Sequence, residues 1–290
     1  MEPTIRPYIR RTPLLEFGDT TLKLELHQVS GSFKARGAFA NLLTRAIPPS
    51  GVVAASGGNH GAAVAYAASR LGIPCKIFVP NVSSQAKIDR IRASGAELAI
   101  VPGVYPDARR AAVDDARERA ALVIEAYDHP TTILGAGSLG KELEEADPAI
   151  DTVVVQVGGG GLIAGVAAWY AGRARVIAVE PEGAPTLDWA LRAGGPVDAP
   201  TGSIANDALA AGAIGELVFP IAQQFVERVI LVSDDDIRAS RDALWQHGRI
   251  AAEPAGATAY AALLSKKYVP AAGERVAVIV SGGNAVVTWT

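Results

Sequence analysis

Thr152-Val153-Val154-Val155-Gln156-Val157-Gly158-Gly159-Gly160-Gly161-Leu162-Ile163-Ala164 joins three unlike pieces of sequence in one short run. The β-branched stretch 152–157 reads as a strand buried on both faces, and the alanine-rich stretch 162–171 as a helix. The four glycines between them free the backbone of side chains. Successive N–H groups can then converge on a phosphate at the positive end of the following helix. The same residues also fit a dinucleotide fingerprint, Gly159-x-Gly161-x-x-Ala164, with Glu180 ending the next strand where a ribose-binding acid would stand. A plain tight turn is the third reading. By itself the segment leaves phosphate ester, dinucleotide and turn open.

Working outward, the strand-then-helix unit recurs. Short apolar runs at 52–54, 76–79, 98–101, 122–125, 176–180, 229–232 and 276–280 read as strands buried on both faces. Helix-like stretches at 61–71, 84–94, 107–119, 138–146, 163–171, 234–246 and 255–266 lie between them, and Asp234-Asp235-Asp236 suits a helix start. Regular alternation of this kind predicts parallel α/β architecture. The units within 51–128 are expected to form a small domain. Residues 1–50 and 129–290 form a large one around it, with the ligand site in the cleft between.

At 290 residues, 49% hydrophobic and 20% charged, the chain has the length of about two domains of ~150 residues. Its net charge of −3 comes from 27 basic and 30 acidic residues mixed along the sequence, which leaves no footprint for nucleic acid or anionic lipid. The single cysteine, Cys75, has no partner for an internal disulfide and reads as a buried, inert thiol, which suits a reducing compartment. Residues 1–13 carry Arg6, Arg10 and Arg11 without the apolar centre of a signal peptide, and no apolar run reaches the roughly 18 residues of a membrane span. A cytoplasmic, soluble protein is expected.

Three further segments carry chemistry. In Gly31-Ser32-Phe33-Lys34 the lysine has small and apolar neighbours. An amine attacks a carbonyl only when neutral, and desolvation is one way to make it so. Ser56-Gly57-Gly58-Asn59-His60-Gly61 follows a strand and opens a helix. It reads either as a helix cap or as a grip on a substrate carboxylate, with Asn59 as an amide donor. Ser281-Gly282-Gly283-Asn284 follows the last strand, where a hydroxyl could meet a ring nitrogen or merely turn the chain. His27, His60, His129 and His247 have no metal-ligand spacing and read as solvated or locally capped, with His60 structural. No G-x-S-x-G elbow is present.

Taken in order, Lys23-x-Glu25-x-x-Gln28-x-x-Gly31-Ser32-Phe33-Lys34-x-Arg36-Gly37-Ala38, the Ser56 turn, the tetraglycine loop and the Ser281 turn resemble the serine/threonine dehydratase and serine racemase family. These are pyridoxal-phosphate enzymes of fold type II, tryptophan synthase β-like. Thr12-Pro13-Leu14-Leu15 and Glu253-Pro254-x-Gly256-Ala257 add to the likeness. The resemblance implies two open, mostly parallel twisted sheets flanked by helices. It implies that Lys34 holds pyridoxal 5'-phosphate as a Schiff base and that Gly158, Gly159, Gly160, Gly161 and Leu162 bind its phosphate. Phe33 would pack beside the ring, Asn59 would contact the ring hydroxyl, and Ser281 the pyridine nitrogen. Ser56, Gly57, Gly58, Asn59 and His60 would hold the substrate. A homodimer acting on a small β-hydroxy amino acid is implied too.

The activity expected is α,β-elimination of water from threonine or serine, with the freed Lys34 amine taking the α-proton and the cofactor phosphate protonating the leaving hydroxyl. The products are a 2-oxo acid and ammonia. Departures from the family pattern sharpen this. Family racemases carry a serine as second acid/base where this chain has Gly57, so dehydration is favoured over racemisation. The family's divalent-cation site falls on Glu180, Ala184 and Thr186, one carboxylate short. No metal is therefore assigned, and Glu180 reads as a strand-end surface acid. Ala205-Asn206-Asp207 replaces the family's Ala-Asp-Gly. Only nine residues, 282–290, follow Ser281, so no appended effector domain is expected. β-Replacement is the nearest rival within the family. An NAD-dependent amino-acid dehydrogenase or a non-catalytic amino-acid sensor are rivals outside it.

Overall fold

The computed structural model of the chain describes residues 1–83, 85–209 and 211–284, without the side chains of residues 86 and 87. Its strands are β1 (Leu14–Phe17), β2 (Thr20–Leu24), β3 (Val52–Ala55), β4 (Cys75–Pro80), β5 (Glu97–Val101), β6 (Leu122–Val123), β7 (Thr152–Gln156), β8 (Arg175–Pro181), β9 (Arg228–Val232) and β10 (Val276–Val280). They form a six-stranded sheet ordered β1-β2-β10-β7-β8-β9 and a four-stranded sheet ordered β5-β4-β3-β6. Among the strand pairs of the described residues, only the β1–β2 hairpin is antiparallel. This is an α/β fold with two mostly parallel sheets flanked by helices.

Every strand read from an apolar run is present. The central strands β3, β7 and β10 are buried along their whole length, as continuous β-branched runs require. The outer strands β5 and β9 differ from the expectation of burial on both faces, because each is an edge strand with exposed residues. The run 122–125 pairs only over Leu122–Val123. Helices open earlier than the periodicity suggested at Asn59–Leu71, Tyr105–Arg119 and Pro130–Ala146, the last capped by His129 Nδ1 accepting from Thr131 N. Ser84, expected to open the helix observed at Gln85–Ala93, lies outside the described residues.

Helix Lys34–Thr44 had no counterpart in the periodicity. It is buried from Ala35 to Leu42, so it shows no amphipathic stripe. On one side it meets helix Pro130–Ala146 so closely that a Cβ on Gly135 would stand 2.6 Å from Arg36 O. On the other it shares a core with Asn59–Leu71, Val52 and Ile77. The helix that begins with Lys34 is therefore wedged between the layers of the two sheets. No helix among the described residues is long and apolar enough to cross a membrane.

Candidate active site

Strand order fixes which loops meet. Because β10 pairs with β7, the Ser281 turn and the tetraglycine loop leave neighbouring strands at their carboxyl ends, where open α/β sheets place ligands. The Ser281 turn is also stitched to the lysine segment. Phe33 N donates to Ser281 O (3.0 Å), Gly283 N donates to Gly31 O (3.0 Å), and Ser32 bridges Gly282. Gly31 takes φ +76°, and a Cβ there would stand 2.1 Å from Asn284 Oδ1, so glycine is required. Asn284 in turn donates from Nδ2 to Ser30 O and to Asn59 Oδ1 (2.7 Å).

Lys34 is the first residue of its helix. Its Nζ donates to Ala126 O at 2.6 Å and lies 5.1 Å from the Phe33 ring centroid. Among the described residues no carboxylate comes within ion-pair distance of it. Burial without a counter-charge pulls the amine down to about 8.

Two residues along, Arg36 is fully paired. Nε and one Nη bind the two oxygens of Glu25 at 2.8 and 2.7 Å, and the guanidinium also reaches Glu142 (3.2 Å) and Ser138 Oγ (3.2 Å). Lys23 Nζ completes the cluster on Glu142 and Thr12 O, and Thr12 contributes both N and Oγ1. The Lys23, Glu25 and Arg36 of the sequence motif are thus a buried anchor for the helix rather than groups that face a ligand.

The tetraglycine loop bends over Tyr127, and a Cβ on Gly159 would stand 2.4 Å from that ring. Gly160 has φ +86° and caps helix Gly161–Tyr170. The amides of Gly158, Gly159, Gly160, Gly161 and Leu162 make no hydrogen bond to another described residue, which leaves a row of donors at a helix N-terminus.

Glu180 corrects the sequence reading. It is fully buried rather than a surface acid, and its oxygens accept from Leu187 N (2.8 Å) and Asp188 N (3.0 Å) at the start of helix Thr186–Ala193. Burial raises its carboxyl to about 7. Thr186 Oγ1 lies 2.8 Å from Glu180 Oε1 and 2.6 Å from Gly158 O. One hydroxyl proton serves one acceptor, so a protonated Glu180 satisfies both contacts: it donates to Thr186, which donates to Gly158. The pair offered by the sequence for a cation instead braces the glycine loop. Ala184 is buried beside them, and among the described residues no group of three His, Cys, Asp or Glu could hold a metal.

The turn after β3 meets these elements across a cleft of about 270 Å³ lined by Lys34, Ser56, Gly57, Gly58, Asn59, His60 and Gly159. The amides of Gly57, Asn59 and His60 donate to no described residue, whereas Gly58 N is taken by Ser56 Oγ (3.0 Å). Asn59 donates to the buried Glu253 and accepts from Asn284. His60 is buried with Nε2 on Ile124 O (2.8 Å), and burial together with the Lys34 charge depresses it to about 3. Cys75 is half-buried, and burial pushes its thiol up to about 12. Phe33, Ser281, Gly158, Gly160, Gly161 and Leu162, also expected at the site, are not among the residues that line this cleft.

The rest of the lining escaped the sequence reading: Pro80, Val82, Ser83, Tyr105, Ala126, Tyr127, Asn206, Asp207, Ala208 and Ala211. They come from loops without a motif. Ser83 is the most telling, because a Cβ on Gly57 would stand 1.9 Å from its Oγ. The place next to Gly57 is filled by a hydroxyl from another loop.

Comparison with known proteins gives the family of the chain. The family model described as pyridoxal-phosphate dependent enzyme matches residues 5–282. The chain is 36% identical to phenylserine dehydratase of Ralstonia pickettii over 97% of its own length and 90% of that protein. It is 37% identical to the biosynthetic L-threonine dehydratase IlvA of Salmonella typhimurium over 91% of its length, spanning about half (52%) of that longer protein. Among solved structures, maize serine racemase superimposes with a TM-score of 0.93 at 31% identity, covering 99% of this chain and 92% of that one.

Proposed function

The chain belongs to the family of pyridoxal-phosphate dependent enzymes, and from that premise we propose that it is a dehydratase of β-hydroxy amino acids. The observation that carries the reading is the Lys34 amine, unpaired, pulled down to about 8, and placed in a cleft that also presents the unbonded amides of Gly57, Asn59 and His60. Relatives named threonine dehydratase and phenylserine dehydratase support the same class.

The residues present fit pyridoxal phosphate. The unbonded amides of Gly158 to Leu162 would cradle its phosphate, and Lys34 would supply the amine for its aldehyde. Phe33 would stand beside the ring, Asn59 has a second Nδ2 proton for the ring hydroxyl, and Ser281 would offer a hydroxyl to the ring nitrogen. When bound, the cofactor supplies an electron sink for the pair released at the α-carbon.

The chain's own groups do the rest. The helix N-terminus at Asn59 and the Ser56 turn hold the substrate carboxylate. Lys34 Nζ, once free and neutral, takes the α-proton. Ala126 O accepts from the same nitrogen and keeps it aimed into the cleft. Water leaves from the β-carbon and is returned on hydrolysis of the released enamine, so substrate becomes 2-oxo acid plus ammonia without an oxidant.

Racemisation is a second reading, favoured by one observation, the Ser83 hydroxyl lodged against Gly57. A chiral assay for D-serine, and its loss in Ser83→Ala, tests it. We also infer a cytoplasmic homodimer with a large unit 1–50 and 129–290 and a small unit 51–128. The two sheets support the division, the half-buried lone thiol supports a reducing compartment, and the exposed Leu134 beside Trp169 supports self-association. Sedimentation of the holoenzyme and fractionation of cells check these.

The primary test incubates holoenzyme with β-hydroxy amino acids and measures 2-oxo acid and ammonia in equal amounts. A protein that takes up pyridoxal phosphate but forms neither product would sink the dehydratase reading.

A further inference from the structure

We infer that the cleft selects a 3-hydroxy amino acid whose β-carbon carries an aromatic ring, an inference that rests on the dehydratase reading above. A substrate whose carboxylate sits on the amides of Gly57, Asn59 and His60, and whose α-carbon faces Lys34 Nζ, meets what remains of the lining with its β-substituent. That remainder includes an apolar set with two aromatic rings, Pro80, Val82, Tyr105, Tyr127, Ala208 and Ala211, beside the polar Ser83, Asn206 and Asp207. The hydrogen of serine or the methyl of threonine has too little surface to cover it.

Two further observations point the same way. Val82 lines the cleft yet is 71% exposed, a large apolar side chain left in water at a ligand site. Neither the Tyr105 nor the Tyr127 hydroxyl bonds another described residue, so both rings are held by packing and present their surface to the cleft. The Tyr127 ring lies against Gly159, where a Cβ would strike it at 2.4 Å, and so walls that side of the cleft. Ring-on-ring contact between such walls and an aryl substituent favours stacked or edge-on geometry. Ser83, the hydroxyl in that part of the lining, stands ready for the β-hydroxyl.

The experiment compares kcat/KM of the holoenzyme for L-threo-3-phenylserine, L-threonine and L-serine, reading oxo acid. The aryl substrate is expected to exceed threonine by at least about tenfold, and threonine to exceed serine. In Tyr105→Ala the phenylserine-to-threonine ratio is expected to fall about tenfold, whereas general damage to the fold lowers both rates in proportion and keeps the ratio. Oxo acid from threonine or serine at a rate equal to or above that from phenylserine overturns the inference and leaves the dehydratase reading standing. No oxo acid from any of the three overturns both. The wild-type ratio decides the matter even if the variant does not fold.

Discussion

Lys34 and Arg36 leave opposite sides of the same helical turn and meet opposite electrostatic fates. Arg36 is walled in by Glu25 and Glu142, which hold its proton more tightly than in water despite burial. Lys34 has a carbonyl and a ring for company, and burial alone pulls its amine down to about 8. Desolvation acts on both cations; the carboxylates decide which of them holds its proton more tightly. The lesson is a division of labour: the charged cluster behind the helix fixes the position of a lysine whose own reactivity depends on having no such cluster.

The contrast is open to direct attack. Lys34→Ala is expected to lower oxo-acid formation by at least about 10³-fold. Because Nζ makes one hydrogen bond, the denaturation midpoint should barely move. A large loss of stability in that variant would mean that the lysine is structural and would erase the distinction. Arg36→Met is expected to behave the other way round, costing about 3–5 kcal/mol in urea unfolding by leaving Glu25 in the interior without its ion pair, while Glu142 keeps Lys23. If it unfolds no more easily than wild type, the cluster is not an anchor. The smallest effect is graded with pH. In the cofactor-free protein the Lys34 amine is neutral above about 8 and protonated below it, so its capture by an amine-reactive reagent should slow about tenfold per unit as the pH falls below 8. A midpoint near the ordinary 10.5 of lysine would show that burial does not set its reactivity.

What the chain revealed in advance follows the same line between inside and front. Strands at the centre of each sheet were legible because burial on both faces forces continuous β-branched runs such as 152–156 and 276–280. Leu14–Phe17 was not, since an edge strand with two exposed residues carries no such run. Helix Lys34–Thr44 was hidden by its burial, and Phe33 gives it no side-chain cap to announce its start. The glycine loops were visible as composition. Their braces were not: Glu180 looked like a surface acid because its partners, Leu187 N and Asp188 N, are brought to it only by the turn after β8. The apolar lining around Tyr105 and Tyr127 is assembled from separate loops, and no spacing in the sequence links them.

The contact between Gly57 and Ser83 also constrains descent. There is room at that point for one hydroxyl, delivered from either loop, since a side chain on residue 57 would meet Ser83 Oγ at 1.9 Å and its Cβ at 2.7 Å. Gly57→Ser arriving first collides, Ser83→Gly arriving first empties the place, and the two together restore it. Positions 57 and 83 are therefore expected to change as a pair across relatives, with the hydroxyl handed from one loop to the other and the single-step intermediates disfavoured.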